Sequence, residues 1–246
     1  MLRLLEKQYR SNYDGEDVVT SRTLEDGDWT SVTEEVPNNV TNNQISNRAV
    51  VFGNSESRKN FPTEHTLNKY AGLLGADTLQ SYGCNAFYRD HTPDFLVVTT
   101  RAMAQECVDS GYTSNNIVYA QAPLTLEHPG KFYLTPLDQY ADAGATATYL
   151  ACFDGHRKVY LVGCEGNFDE AYNSNMYAGT NGYDPINADL RGANNCPAYK
   201  QIFNTYNDVD FALVTPNGEM RTYEEWKTCP NFRQISHRQM VLEADL

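Results

Sequence analysis

The chain has no stretch near the roughly 18 consecutive apolar residues that a membrane-spanning helix needs. Its opening, MLRLLEKQYRSNYDGED, has too short an apolar run for a secretory signal, so a soluble, cytoplasmic protein is expected. Basic charge is scarce: 19 Lys plus Arg stand against 32 Asp plus Glu, a formal net charge of −13. Such a field repels phosphate backbones and anionic lipid, which excludes nucleic acid and a membrane surface as expected partners. The six cysteines include no CxxC pair, and no histidine is spaced to complete a zinc site, so no metal centre is expected. They read as reduced thiols, with Cys152 and Cys164 as small core residues inside apolar segments. Neither the GxGxxG of a dinucleotide fold nor the GxxxxGK[ST] of a phosphate-cradling loop occurs, which removes two large cofactor classes. There are no internal repeats.

What is present is 246 residues, enough for one large domain with an appendage. Residues 1–47 carry 4 basic and 9 acidic residues and end in PNNVTNNQISN, which reads as an arm and linker. Around Trp29, WTSVTEEV alternates like a short strand and could add to another surface, so the arm is also a candidate for protein partners. From Arg48 onward, apolar β-branched runs (RAVVFG, TLQSYGC, DFLVVTT, NIVYA, KVYLVG, DFALVT) alternate with helical stretches. The helices are expected in PTEHTLNKYAGLLGA, RAMAQECVDSG, ADAGATATYLACFDGH and CPAYKQIFNTY. This order predicts a Rossmann-like, doubly wound α/β domain over 48–246 with a mostly parallel sheet covered on both faces. Residues 167–196, rich in Asn, Gly and Tyr, read as one long loop serving as a carbohydrate-facing lid or an assembly surface.

In doubly wound sheets ligands collect beyond the carboxyl ends of the strands. There the sequence places GNSES, GCNAFY, TTR and GCEGNF. Gly53 allows a sharp turn off its strand, and Asn54, Ser55 and Ser57 offer short polar groups beside backbone amides, a seat for phosphate or ribose. The same residues would equally serve as helix caps. Asn85 can read a base or ribose, while Phe87 and Tyr88 beside it also suit a core.

VVFGNSES, YGCNAFYRD, PDFLVVTT and DAGATATYLACFDGHRKVYLVGCEGNF, in that order, resemble the bacterial sialyltransferase family of lipooligosaccharide synthesis, over residues 48 to about 170. Similar domains also occur in a pterin pyrophosphokinase-like family. The resemblance implies a CMP-activated sugar as donor substrate and a carbohydrate acceptor. Asn54 and Ser57 would meet the nucleotide phosphate and ribose, and Asn85 the cytosine nucleotide or donor sugar. The family's asparagine after the third strand falls on Thr99 or Thr100, and its Ser-Gly at the start of the long helix falls on Ala143 and Gly144. Glu165 and Phe168 are nearest to the acidic and aromatic residues around the cytidine.

The family's catalytic histidine has no counterpart, because no histidine lies between Arg157 and Ser236. Tyr172, Tyr177 and Tyr183 could steady the departing phosphate, Arg101 or Arg191 could offset its charge, and His237 and His91 are the histidines left as bases. Two readings stay open. One is a metal-independent, inverting glycosyltransferase with no tightly bound cofactor. The other is an inactive Rossmann-like structural or adaptor subunit of a larger assembly such as a phage particle, docked through its arm and compatible with a homo-oligomer.

Overall fold

The computed structural model describes the backbone of residues 4–11, 17–25, 28–36, 48–67, 79–135, 141–166, 174–185 and 192–246, and the side chains of these from residue 48 onward except 192–195. The segment expected as an arm holds three strands, β1 (Leu4–Ser11), β2 (Asp17–Glu25) and β3 (Asp28–Val36). They pair antiparallel in the order β1-β2-β3 as a meander separate from the main sheet. The predicted strand around Trp29 is thus paired within its own segment, opposite Leu24. The expected linker, 37–47, lies outside the described residues.

The domain follows with β4 (Arg48–Phe52), β5 (Gln80–Cys84), β6 (Phe95–Val98), α1 (Arg101–Asp109), β7 (Ile117–Ala120), α2 (Ala122–Glu127), β8 (Tyr133–Leu134), α3 (Ala143–Phe153), β9 (Lys158–Val162), α4 (Gly192–Thr205), β10 (Asp210–Thr215), α5 (Glu224–Lys227), β11 (Phe232–Ser236) and α6 (His237–Glu243). All neighbouring strands of the main sheet are parallel, in the order β11-β10-β9-β4-β5-β6-β7-β8. Of the helix expected in PTEHTLNKYAGLLGA, a 3-10 turn at Thr63–Thr66 is described, and residues 68–78 lie outside the description. The long loop expected over 167–196 ends earlier, because α4 begins at Gly192.

The period of two in each strand splits the core into two layers. Ala49, Val51, Tyr82, Val159, Leu161 and Phe211 pack with α3, α4 and α5 on one face. Val50, Phe52, Leu96, Tyr160, Val162 and Ala212 pack with α1, α2 and α6 on the other. The inner strands β4, β5, β6, β7, β9 and β10 are buried on both sides, which is why most of them read as continuous apolar runs, while the edge strands β8 and β11 are largely half-buried. All six cysteines are buried free thiols.

The chain first builds outward from β4 to β8 and then returns to lay β9 on the other side of β4. The strand order therefore reverses between β4 and β9. At such a switch point the two following connections run to opposite faces and leave a crevice above the strand ends.

Candidate functional site

The crevice begins with glycine. Gly53 N–H donates to Val162 O at 2.9 Å, and a Cβ on Gly53 would stand 2.1 Å from Gly163 O. Gly163 itself is left-handed at φ +68°. Any side chain at Gly53 would force the two turns apart, so glycine there lets the ends of β4 and β9 meet.

Above them the ends of β4, β5 and β9 and the first turn of α3 enclose a cavity of about 250 Å³, lined among others by Gly53, Asn54, Asn85, Gly144 and Glu165. Asn54 Nδ2 donates to Cys84 O at 3.0 Å and to Tyr183 Oη at 3.1 Å, which uses both amide hydrogens. Its Oδ1 is buried with no hydrogen-bond partner. Asn85 takes the left-handed conformation at φ 47°, which Asn tolerates better than most residues. Its Oδ1 accepts from Thr99 N at 3.0 Å, so the part of its amide left for a ligand is the donor Nδ2.

Helix α3 is capped by Asp142, whose Oδ1 accepts from Ala145 N at 2.8 Å. A Cβ on Gly144 would lie 2.5 Å from Tyr199 Oη, so glycine there lets this buried phenol reach the first helical turn. The positive end of an 11-residue helix thus borders the cavity. Glu165 is 8 % exposed, and burial pushes its carboxyl above the ordinary range, with Ser57 partly opposing the shift. Its Oε2 is buried without a partner.

Residues 174–185 form a strap across the opening. Glu56 N–H donates to Ser174 O and Met176 N–H to Asn54 O, both at 2.8 Å, extending the line of β4 by one antiparallel bridge between Ser55 and Asn175. Tyr183 dips from the strap into the cavity, and burial pushes its phenol up to about 12, so it is protonated at neutral pH. The outer side is pinned twice. Arg58 Nη2 donates to Tyr177 Oη at 3.0 Å, and Tyr177 Oη donates to Asp90 Oδ2 at 2.6 Å. Glu106 accepts from Arg89 at 2.7 and 2.6 Å and from Asn181 Nδ2 at 2.6 Å.

Of the residues singled out in the sequence, Gly53, Asn54, Asn85, Gly144 and Glu165 come together. Ser57 and Thr99 do not line the cavity: Ser57 is buried behind Glu165, and Thr99 positions Asn85 through its backbone. Tyr177 is spent on the strap's outer pin. His237 does not line the cavity either; it opens α6 with its ring 5.2 Å from Phe61, and burial lowers its pKa. Arg101 is exposed and paired with Glu127, and His91 is paired with Glu64. Tyr172, Phe168 and Arg191 lie outside the described residues.

Asp142, Tyr199, Tyr223 and Trp226 also line the cavity, and sequence reasoning missed them. Asp142 was legible as an aspartate just before a helical run. The three aromatics carry no local signal. Among the described residues lining the cavity none is Lys, Arg or His. Among the described residues no three His, Cys, Asp or Glu side chains are grouped to hold a metal ion, and no helix is long and apolar enough to cross a membrane.

No protein-family model matches the sequence, and no curated protein is similar to it in sequence. Among solved structures, a variant of a sialyltransferase crystallised in complex with CMP is similar at 14 % identity and a TM-score of 0.43, over 69 % of this chain and 83 % of that one.

Proposed function

We propose that the cavity binds the nucleotide of a CMP-activated sugar and that the protein transfers the sugar to an acceptor hydroxyl. The carrying observation is the pair of buried, unpartnered acceptors, Asn54 Oδ1 and Glu165 Oε2, which two separate strand ends bring to one cavity. A buried acceptor without a donor costs about 1–3 kcal/mol, and a ligand that supplies the donors recovers it. The amino group of cytosine and the ribose hydroxyls are such donors. A carboxylate accepting from the cytosine amino group is a familiar pairing.

The α3 N terminus and Asn85 Nδ2 offer donors to a phosphate. With no basic side chain among the described lining residues, the site is better matched to one phosphate than to a diphosphate. In the transfer, a lone pair of the acceptor oxygen forms the bond to the anomeric carbon. The bond from that carbon to the phosphate oxygen breaks, and CMP leaves with the electron pair. Tyr183, held protonated, can donate to the leaving phosphate. The proton of the acceptor goes to a carboxylate, since Asp142 and Glu165 are the carboxyl groups among the described lining residues.

Calorimetry with CMP and CDP tests this reading. CMP should bind, CDP should bind at least about tenfold more weakly, a difference of about 1.4 kcal/mol, and Asn54→Ala should weaken CMP. If CMP fails to bind at millimolar concentration and Asn54→Ala behaves as the wild type does, the reading fails and a scaffold role is left.

A further inference from the structure

Behind the cavity wall lies a charge that the proposed chemistry does not use. After the polar turn that follows β4, the 3-10 turn Glu56–Arg58 ends in an arginine only 3 % exposed, and among the described residues it is the one buried Lys or Arg. Arg58 starts close to the cavity, since a Cβ on Gly163, a lining residue, would be 3.2 Å from the Arg58 Cβ. Its guanidinium then lies 4.6 Å from the centre of the Phe87 ring, and Phe87 is stacked on Phe52 at 4.8 Å. The strap covers it: Nε donates to Met176 Sδ at 3.4 Å and Nη2 to Tyr177 Oη at 3.0 Å. Nη1 is buried with no partner. Among the described residues no carboxylate pairs directly with this cation. Asp90, itself exposed, reaches it through the Tyr177 hydroxyl, which donates to Asp90 Oδ2 at 2.6 Å. Arg89 nearby differs, because both oxygens of Glu106 neutralise it at 2.7 and 2.6 Å.

A guanidinium cannot shed its proton, so burying one without a direct counter-ion is costly. The faces of Phe87 and Tyr177 recover part of that cost. In a medium of low effective dielectric the field of such a charge carries well beyond contact distance. It reaches the cavity: Cys84 lines it, and its thiol, raised first by burial and further by Cys164 and Asp142, is pulled the other way by Arg58. An anion entering the cavity meets two carboxyl groups, Asp142 and Glu165, and no basic side chain among the described lining residues. Arg58 is the buried cation that stands behind them.

We propose that Arg58 supplies the positive field that holds a ligand's anionic group in the cavity, acting through the wall rather than by contact, and that Asp90 on the far side of Tyr177 tempers this field. That the anionic group is the phosphate of CMP rests on the function proposed above; the buried charge in the wall does not.

Calorimetry at low ionic strength with CMP, with uncharged cytidine and with inorganic phosphate tests it. Arg58→Met should weaken CMP at least about tenfold while cytidine stays within about twofold. Arg58→Lys keeps the charge but not the planar fork, and should hold CMP within about threefold of the wild type. Asp90→Asn should tighten CMP about two- to threefold, a gain that fades with added salt because Asp90 is exposed. A role confined to fastening the strap gives another pattern: CMP and cytidine fall together in Arg58→Met, Arg58→Lys does not rescue, and Asp90→Asn weakens both. That joint loss, or a CMP affinity that Asp90→Asn does not raise, overturns the proposal. If Arg58→Met melts, Arg58→Lys and Asp90→Asn carry the test. If CMP does not bind the wild type, the nucleotide reading falls and phosphate decides. Phosphate binding that Arg58→Met abolishes and Asp90→Asn strengthens upholds the wall charge, whereas phosphate that fails to bind, or that ignores both substitutions, overturns it.

Discussion

Replacing Glu165 by glutamine should make the unliganded protein more stable and a poorer binder. The carboxyl is 8 % exposed, one of its oxygens has no partner, and burial holds its pKa above the ordinary 4.5. An acid whose folded pKa is raised binds its proton more tightly in the folded state. Its stability contribution is therefore full below 4.5 and is lost as pH rises through the raised pKa. At neutral pH the unfolded chain's carboxyl is ionised, so folding must either bury that charge or take up a proton, and both cost stability.

Glutamine removes that charge but buries an unpartnered amide donor, which itself costs about 1–3 kcal/mol. The net gain should be about 1 kcal/mol, since a buried charge costs more than a buried neutral group. For a domain of this size that is a rise of about 2–4 °C in Tm. Thermal melts across pH check it: the gain should be present at neutral pH and shrink to nothing below 4.5, where the wild-type carboxyl is already protonated. In calorimetry the variant should lose at least about tenfold in CMP affinity, or about 1.4 kcal/mol. A Tm that falls at neutral pH, or a gain that does not change with pH, would refute the reasoning from burial.

Gly53→Ala places a methyl carbon 2.1 Å from Gly163 O and should cost about 1–3 kcal/mol, read as a lower urea midpoint with weakened CMP binding. Glu106→Ala removes the acceptor shared by Arg89 and Asn181, and limited proteolysis should then cut the strap at 178–185 several-fold faster while the rest of the chain stays intact. Glu243 is held by Arg233 at 2.7 Å and Lys158 at 2.8 Å, which lowers its carboxyl to about 2. The stability it contributes is present above 4.5 and lost as pH falls toward 2, so Glu243→Gln should cost about 1 kcal/mol at neutral pH, discounted for partial exposure, and nothing near pH 2. Urea melts at the two pH values distinguish this from a pH-independent packing loss.

Local chemistry was legible where one short stretch decides it. β4, β6, β7, β9 and β10 appear where the apolar runs predicted them, because a strand buried on both faces must be apolar throughout. α1 and α3 end where Gly111 and Gly155 take positive φ, as their positions suggested. Short elements such as β8 and α5 went unread, since two to four residues hold too little pattern to show a period. Of the N-terminal meander the strand around Trp29 was legible by its alternation, but its pairing with β2, and that of β2 with β1, was not, since partners are set by the sheet and not by one stretch.

By itself the sequence determined the parallel α/β layering and the polar residues that follow each strand, because both depend on neighbours a few positions apart. Only the tertiary structure decided that β9 returns to the far side of β4, and this one long-range choice makes the crevice. It also decided that Asn54 and Glu165 share a cavity while Ser57, Thr99, Tyr177 and His237 do not line it, and that Tyr223 and Trp226 wall it. Convergence of groups from distant turns is set by which strand pairs with which, and strand pairing is a property of the packed sheet rather than of any short stretch of chain.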